Sequence, residues 1–221
     1  MDDDVPVPEP SKLTLSKERW AREGRQPARA RLADATRLPP GQHRTTDWPV
    51  LDLGEHPDIV PGAWELQVFG AIARPAIWRW TDLMAQPQTN SVSDIHCVTS
   101  WSRYDNQWQG VSTIDLLESV VPLPATRFVL LHSSDGYTTN LTLEDFAAEG
   151  AMLVHAWSGQ PLAREHGGPV RLVVPHLYFW KSAKWINKIE FRTQDAPGFW
   201  EVRGYHNRGD PWLEQRYSND E

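Results

Sequence analysis

The sequence predicts an α+β fold of mixed sheets with short helices, and three observations carry that expectation. Short runs of residues recur that alternate apolar and polar or are wholly apolar, as half-buried and buried strands do. The helical patterns between them are brief. The two kinds of segment do not follow the regular βαβ alternation of a doubly wound parallel sheet. The 221 residues suit one β-rich domain. The organisation expected is an irregular N-terminal arm over residues 1–47, followed by a single domain over 48–221 that includes an aromatic C-terminal tail.

The arm is charged, with a short helical stretch around Ser16–Glu23 and the turn signal Pro39-Pro40-Gly41. It shows no continuous apolar face, so it should wrap the domain's surface. Trp64, Leu66 and Val68 alternate with Glu65 and Gln67, giving a strand over Ala63–Phe69 that Gly70 ends. A second apolar run, Ala76–Trp80, leads to Thr81, which can cap a short helix Asp82–Ala85 before Pro87. A strand follows over Ser91–Val98, residues 99–110 read as a loop, and Thr113 can cap a helix Ile114–Val120 closed by Pro122 and Pro124. Arg127–His132 and Tyr137–Leu141 flank Ser133-Ser134-Asp135-Gly136, the pattern of a β-hairpin. Thr142 with Asp145 three positions later resembles a capping box. Strand Met152–Trp157 turns at Ser158-Gly159-Gln160, His166-Gly167-Gly168-Pro169 feeds strand Val170–Val174, and Lys184–Arg192 is the last strand. The tail from Pro197 to Tyr217 is rich in aromatics and should pack back onto the domain.

Composition narrows the function. A single cysteine excludes an intramolecular disulfide, a Cys-rich zinc site, an all-Cys iron–sulfur cluster and c-type haem attachment, each of which needs at least two thiols. A formal net charge of −7 argues against a nucleic-acid partner. The opening MDDDVPVPEP has neither the basic nor the apolar region of a secretory signal, and no run is long enough to span a bilayer. The cytoplasm is therefore the expected compartment, with no membrane insertion. Twelve tryptophans are a surplus, and each wants a partner for its N–H when buried.

Familiar local motifs are missing: no G-x-G-x-x-G, Walker A, H-E-x-x-H or G-x-S-x-G occurs. Cys97 closes a predicted strand, and its local pattern alone favours a packed small hydrophobe over a reactive thiol. Strand alternation sends the adjacent His96 to the opposite face. Arg171 and the run Lys181-Ser182-Ala183-Lys184 offer charged and hydroxyl donors suited to one phosphate. Taken alone, Lys181 and Lys184 read at least as readily as solvated surface charges.

Together these residues resemble a known pattern. His96-Cys97-Val98-Thr99-Ser100-Trp101-Ser102, with Trp108-Gln109-Gly110-Val111 after it, closely resembles the cysteine motif of the sulfite-oxidase-like molybdopterin oxidoreductases. His166-Gly167-Gly168-Pro169-Val170-Arg171-Leu172-Val173-Val174-Pro175, then Lys181-Ser182-Ala183-Lys184-Trp185-Ile186, resembles that family's pterin-phosphate segment. Gly198-Phe199-Trp200-Glu201 and Gly204-Tyr205-His206-Asn207 resemble its C-terminal aromatic stretch.

The resemblance runs in matching order through residues 45–215 and implies a sulfite-oxidase-like molybdopterin-binding fold. It implies one pyranopterin monophosphate per chain and a molybdenum that takes one protein thiolate, which makes Cys97 the metal ligand and a catalytic residue. It places the pterin phosphate at Arg171, Ser182 and Lys184, with Lys181 and Ala183 of the same run beside them. His132 and His166 match pterin-contacting positions, and Arg44-Thr45-Thr46 is a further contact in the arm. Arg103, Tyr104 and Asp105 are candidate substrate-pocket residues. Arg103 would favour an anionic oxo-substrate, unless it is spent on an ion pair with Asp105 or another carboxylate. Trp101, Trp108, Trp185 and Trp200 lie within the motifs and should wall the pocket or brace its loops.

The implied activity is oxygen-atom transfer coupled to two-electron chemistry, on a sulfite-like substrate or an S- or N-oxide, with a cytochrome or other redox protein as electron partner. The sequence shows no haem domain, immunoglobulin-like dimerisation domain or twin-arginine leader, so substrate and direction of transfer stay open. Two other readings remain at this point. One is a non-catalytic binding module with an aromatic surface for sugars or a partner protein, and the other a zinc or copper hydrolase built on histidines.

Overall fold

The computed structural model describes residues 12–23 and 36–220. Helix α1 (Lys12–Arg22) comes first, then β1 (His43–Arg44), β2 (Glu65–Gly70), β3 (Ala76–Arg79) and α2 (Trp80–Ala85). β4 (Thr89–His96), β5 (Trp101–Ser112), α3 (Thr113–Val120), β6 (Phe128–Ser133), β7 (Thr138–Thr142) and α4 (Leu143–Phe146) follow. The chain continues through β8 (Met152–Trp157), β9 (Gln160–Pro161), β10 (Arg171–Val173) and β11 (Ile186–Arg192). The first sheet runs β1-β5-β8-β10, with β4 also on β5 and β9 on β8; the second runs β3-β2-β11-β6-β7. Pairing is antiparallel except for β1 with β5 and β2 with β11. The fold is α+β with mixed sheets, as expected.

Two faces of the first sheet are covered, and strand alternation divides them. Leu153 and Leu172 point into the main core, which also holds Leu66, Val68, Val129, Leu131 and Ile189 of the second sheet. Their neighbours Met152, Val154 and Val173 point the other way, into a cluster with Ile95, Cys97, Trp101 and Trp108. The tail residues Phe199, Trp200, Tyr205 and Tyr217 gather with Leu53 of the domain and Ala21 of α1 into a third cluster.

Residues 99–110, expected as a loop, are mostly strand: β5 forms a long hairpin with β4, turning through Cys97–Ser100. Its period of two is real but is hidden by a polar residue on the inner face. Tyr104, Asn106, Trp108 and Gly110 are buried, while Asp105, Gln107 and Gln109 are exposed. Buried Asn106 is satisfied because its amide donates to Ser93 and Arg103 carbonyls at 3.1 and 2.9 Å.

The arm departs from expectation in a related way. Thr14, Lys17, Glu18 and Ala21 are buried, a spacing that defines one face of α1, although three of the four are polar. Smaller corrections concern caps and ends. Ser112, not Thr113, caps α3 by accepting from the Ile114 amide at 3.0 Å. At α2 it is the Asp82 carboxylate that accepts from the Arg79 amide at 2.8 Å. The Thr142 cap is present, its hydroxyl accepting from the Asp145 amide at 3.0 Å. β11 starts at Ile186 rather than Lys184, because Trp185 takes a left-handed φ of 47°.

Candidate active site

A cavity of about 100 Å³ lies where the second and third clusters meet. Cys97, immediately after β4, is 7% exposed and contributes to its wall. The sulfur is 3.2 Å from the Thr99 hydroxyl. His96 faces away as alternation requires, with Nδ1 2.8 Å from the Ser102 hydroxyl and its ring edge-on to Trp212. Trp101, Trp185 and Trp200 of the motifs line the cavity. Trp108 does not; it braces the β4–β5 hairpin from inside, its indole N–H donating to Ser93 Oγ at 2.9 Å.

Another part of the wall is basic. Arg171 is 1% exposed and donates only to carbonyls: His166 at 2.9 Å, Ser182 at 2.8 Å and Leu172 at 3.2 Å. Its guanidinium lies 4.3 Å from the centre of the Phe179 ring, and burial lowers its pKa. No carboxylate among the described residues pairs with it, so the fold holds a buried cation in place without a counter-ion, a costly arrangement that a bound anion would relieve. Lys184 donates to the Glu165 carbonyl at 2.7 Å and lies 3.3 Å from Asp52. Burial, followed by Arg171, pulls its ammonium down to about 8. Ser182 Oγ accepts from the Val174 amide at 2.9 Å, which leaves its O–H free to donate. Gly167 lets these cations approach: at φ 102°, an added Cβ would stand 2.9 Å from Lys184 Cβ and 3.1 Å from Arg171 Cβ.

These residues fit a molybdopterin on the chemistry of their donors. A soft thiol occupies one part of the wall. A buried guanidinium, an ammonium and a hydroxyl occupy another. Two further donors on the wall, Ser133 Oγ and Trp101 Nε1, are buried without a hydrogen-bond partner among the described residues.

The other residues singled out by sequence lie elsewhere. Lys181 is fully buried away from the cavity, 2.6 Å from Glu201, and Ala183 accepts from the Leu172 amide at 2.8 Å. His132 sits on β6 of the second sheet, 3.4 Å from Glu190. His166 does not line the cavity, but it stacks on Trp48, which does, with ring centroids 3.8 Å apart. Burial, then Arg171, hold its imidazole down to about 4, so it is neutral at pH 7.

Arg103, Tyr104, Arg44 and Thr45 are not on the cavity wall. Arg103 donates to Asn106 Oδ1 and to the Thr46 carbonyl, and Arg37 takes Asp105 at 2.7 Å, so the suspected Arg103–Asp105 pair does not form. Tyr104 lies against the guanidinium groups of Arg37 and Arg44, at 4.3 and 4.9 Å. The Thr45 amide donates to the Ser102 carbonyl at 2.9 Å, tying β1 to β5.

Sequence reasoning missed Lys17, Trp48, Asp52, Ser133, Asp135 and Tyr137 on the wall. Each is an isolated residue without a local pattern, save that Ser133 and Asp135 lie in the anticipated hairpin turn. Burial pushes the Asp135 carboxyl up to about 6. The alternatives find little support. Of the twelve tryptophans only Trp212 is exposed, and no group of three or more potential His, Cys, Asp or Glu metal ligands occurs among the described residues.

The profile of the oxidoreductase molybdopterin binding domain matches residues 53–200. An uncharacterized oxidoreductase of Bacillus subtilis, YuiH, is 49% identical over 187 residues, covering 83% of this chain and 93% of that protein. The protein-methionine-sulfoxide reductase catalytic subunit MsrP of Ralstonia nicotianae is 26% identical over 165 residues, covering 67% of this chain and 50% of its own. The sulfane dehydrogenase SoxCD from Paracoccus pantotrophus shares the fold, with a TM-score of 0.61 at 17% identity over 72% of this chain and 47% of its own. The chain thus spans about half the length of MsrP and SoxCD and nearly all of YuiH. Cys97, Arg171, Ser182 and Lys184 all fall inside the matched segment. The chain belongs to the family of the oxidoreductase molybdopterin binding domain, enzymes whose cofactor is molybdopterin with molybdenum.

Proposed function

We propose that this enzyme transfers an oxygen atom to or from a small anionic or oxo-bearing substrate, a sulfite-like anion or an S- or N-oxide. A separate redox protein, such as a cytochrome, would take or supply the two electrons. The observation that carries the reading is that one cavity wall holds both the Cys97 thiol and the counter-ion-free Arg171. Cys97 would hold molybdenum, and Arg171, Ser182 and Lys184 the pterin phosphate. When bound, the cofactor supplies the oxo exchange and the two-electron change.

The chain supplies the rest. The Thr99 hydroxyl stands 3.2 Å from the sulfur, within hydrogen-bonding reach of it. Trp101, Trp185 and Trp200 exclude water and strengthen charge interactions inside the cavity. Asp135, with its carboxyl raised to about 6 and Oδ1 accepting from the Tyr137 amide at 3.1 Å, can hold or release a proton near neutral pH. A cytoplasmic location belongs to the same proposal, supported by a lone cysteine kept as a free thiol. Among the described residues, no helix is long and apolar enough to cross a membrane.

Metal and pterin analysis tests this reading. Protein from a molybdenum-sufficient host should carry near-stoichiometric molybdenum, Cys97→Ala or Cys97→Ser should abolish turnover, and Arg171→Ala with Lys184→Ala should release the pterin from a folded chain. Repeated absence of metal and pterin from well-folded protein would sink it.

A further inference from the structure

Helix α1 lies ahead of the family's matched segment, yet it delivers a side chain to the cavity. Its buried face carries two charged residues with different fates. Glu18 pairs with Arg203 at 2.7 Å, tying the helix to the C-terminal tail. Lys17 is 6% exposed and lines the cavity, and its ammonium makes no hydrogen bond or ion pair with any described residue. It lies over the face of Trp200, 5.4 Å from the ring centre. Burial lowers its pKa, opposed first by the Cys97 sulfur and then by Asp52.

The cavity therefore gathers three cations, Lys17, Arg171 and Lys184, and two carboxyls, Asp52 and Asp135. Asp52 is drawn to Lys184 at 3.3 Å, which leaves both Arg171 and Lys17 without a counter-ion. One bound phosphate accounts for Arg171. It does not account for Lys17: Arg171 and Lys184 come together at Gly167, whereas Lys17 lies over Trp200, whose cluster meets that of Cys97 at Val98. An ammonium nine-tenths buried, lining a cavity and without a counter-ion among the described residues calls for an anion of its own.

We propose that Lys17 is a specificity-determining residue whose ammonium binds the oxyanion group of a small anionic substrate in the part of the cavity beside Cys97. This rests on the molybdopterin reading above. It deepens that reading by choosing the anionic substrate class over neutral S- or N-oxides, and by giving the choice to a helix outside the matched segment.

The test is calorimetric titration of the cofactor-loaded protein with sulfate, an unreactive oxyanion, for wild type, Lys17→Arg and Lys17→Gln. Molybdenum and pterin are measured in each, and Lys17→Met replaces Lys17→Gln if the latter does not fold. Loss of the charge should weaken sulfate binding about tenfold or more, Lys17→Arg should recover most of it, and metal and pterin contents should stay equal. Equal sulfate affinity in wild type and Lys17→Gln, or no sulfate binding to wild type, overturns the proposal. So does pterin loss in Lys17→Gln, which would make Lys17 a holder of the cofactor instead. If wild type carries neither metal nor pterin, the wider reading fails separately. The same titration in an Arg171→Met background then decides whether an anion site at Lys17 stands without it.

Discussion

Replacing Glu201 with glutamine should destabilise the fold far more than a surface substitution, while the cofactor cavity keeps its ligands. Lys181 and Glu201 have side chains 0% and 1% exposed, with Nζ and Oε1 2.6 Å apart. The ammonium also donates to the Asn140 and Asn207 carbonyls at 2.9 and 2.6 Å. The carboxylate further accepts from Thr139 and Trp180 at 3.0 and 2.9 Å. Removing one charge leaves the other buried with neutral partners alone, a loss of about 3–5 kcal/mol. Against a total stability of about 5–15 kcal/mol, that is about a fifth or more. At about 2–4 °C per kcal/mol for a chain of this size, the melting temperature should fall by roughly 6–20 °C.

Lys181→Met should cost a similar amount, and the double variant should recover part of it, because no lone charge then remains buried. Urea unfolding of the four proteins measures the cycle, and pterin content of the folded fraction shows whether Lys181 also serves the cofactor. A Glu201→Gln variant within about 1 kcal/mol of wild type would refute the argument that the pair holds the tail.

Three further outcomes follow. Asp135 carries a folded pKa of about 6 against an ordinary value of 3.8, so the folded state binds the extra proton between those values. The contribution of Asp135 to stability should therefore fall by up to about 3 kcal/mol as pH rises through this window and be flat below it; Asp135→Asn should remove that contribution, and equal slopes of wild type and variant in pH-dependent urea melts would contradict it. Gly167→Ala should cost about 1–3 kcal/mol, from a side chain at positive φ crowded against Lys184 and Arg171, and should lower pterin retention; thermal melts and pterin assays read both effects. Asn106→Leu should lower stability by about 1–3 kcal/mol, since the Ser93 and Arg103 carbonyls lose their donor, and hydrogen exchange should quicken in the β4–β5 hairpin.

The elements legible in the sequence are those whose signal is local. The β6–β7 hairpin, β8 and the Thr142 cap follow from alternation, turn residues and a hydroxyl three positions from its amide. Cys97 and the Arg171, Ser182 and Lys184 set stood out through a motif pattern carried by contiguous residues, and the structure gathers them around one cavity. What stayed hidden depended on distant partners. β5 escaped because a polar side chain, Asn106, stands on its inner face, and α1 because its buried face is mostly polar. Lys181 and Lys184 are equivalent in local sequence. The short 3₁₀ turn Phe179–Lys181 and the left-handed Trp185 send one to Glu201 and the other to the cavity.

By itself the sequence determined the strand grammar and the chemical inventory of the site, since both reside in residue types and short spacings. Only the tertiary structure decided which charges are neutralised and which remain open to a ligand. Glu18 meets Arg203 and Lys181 meets Glu201, whereas Lys17 and Arg171 face the cavity without a carboxylate partner among the described residues. A charge's role depends on what lies within a few ångströms of it, and those neighbours come from segments far apart in the chain.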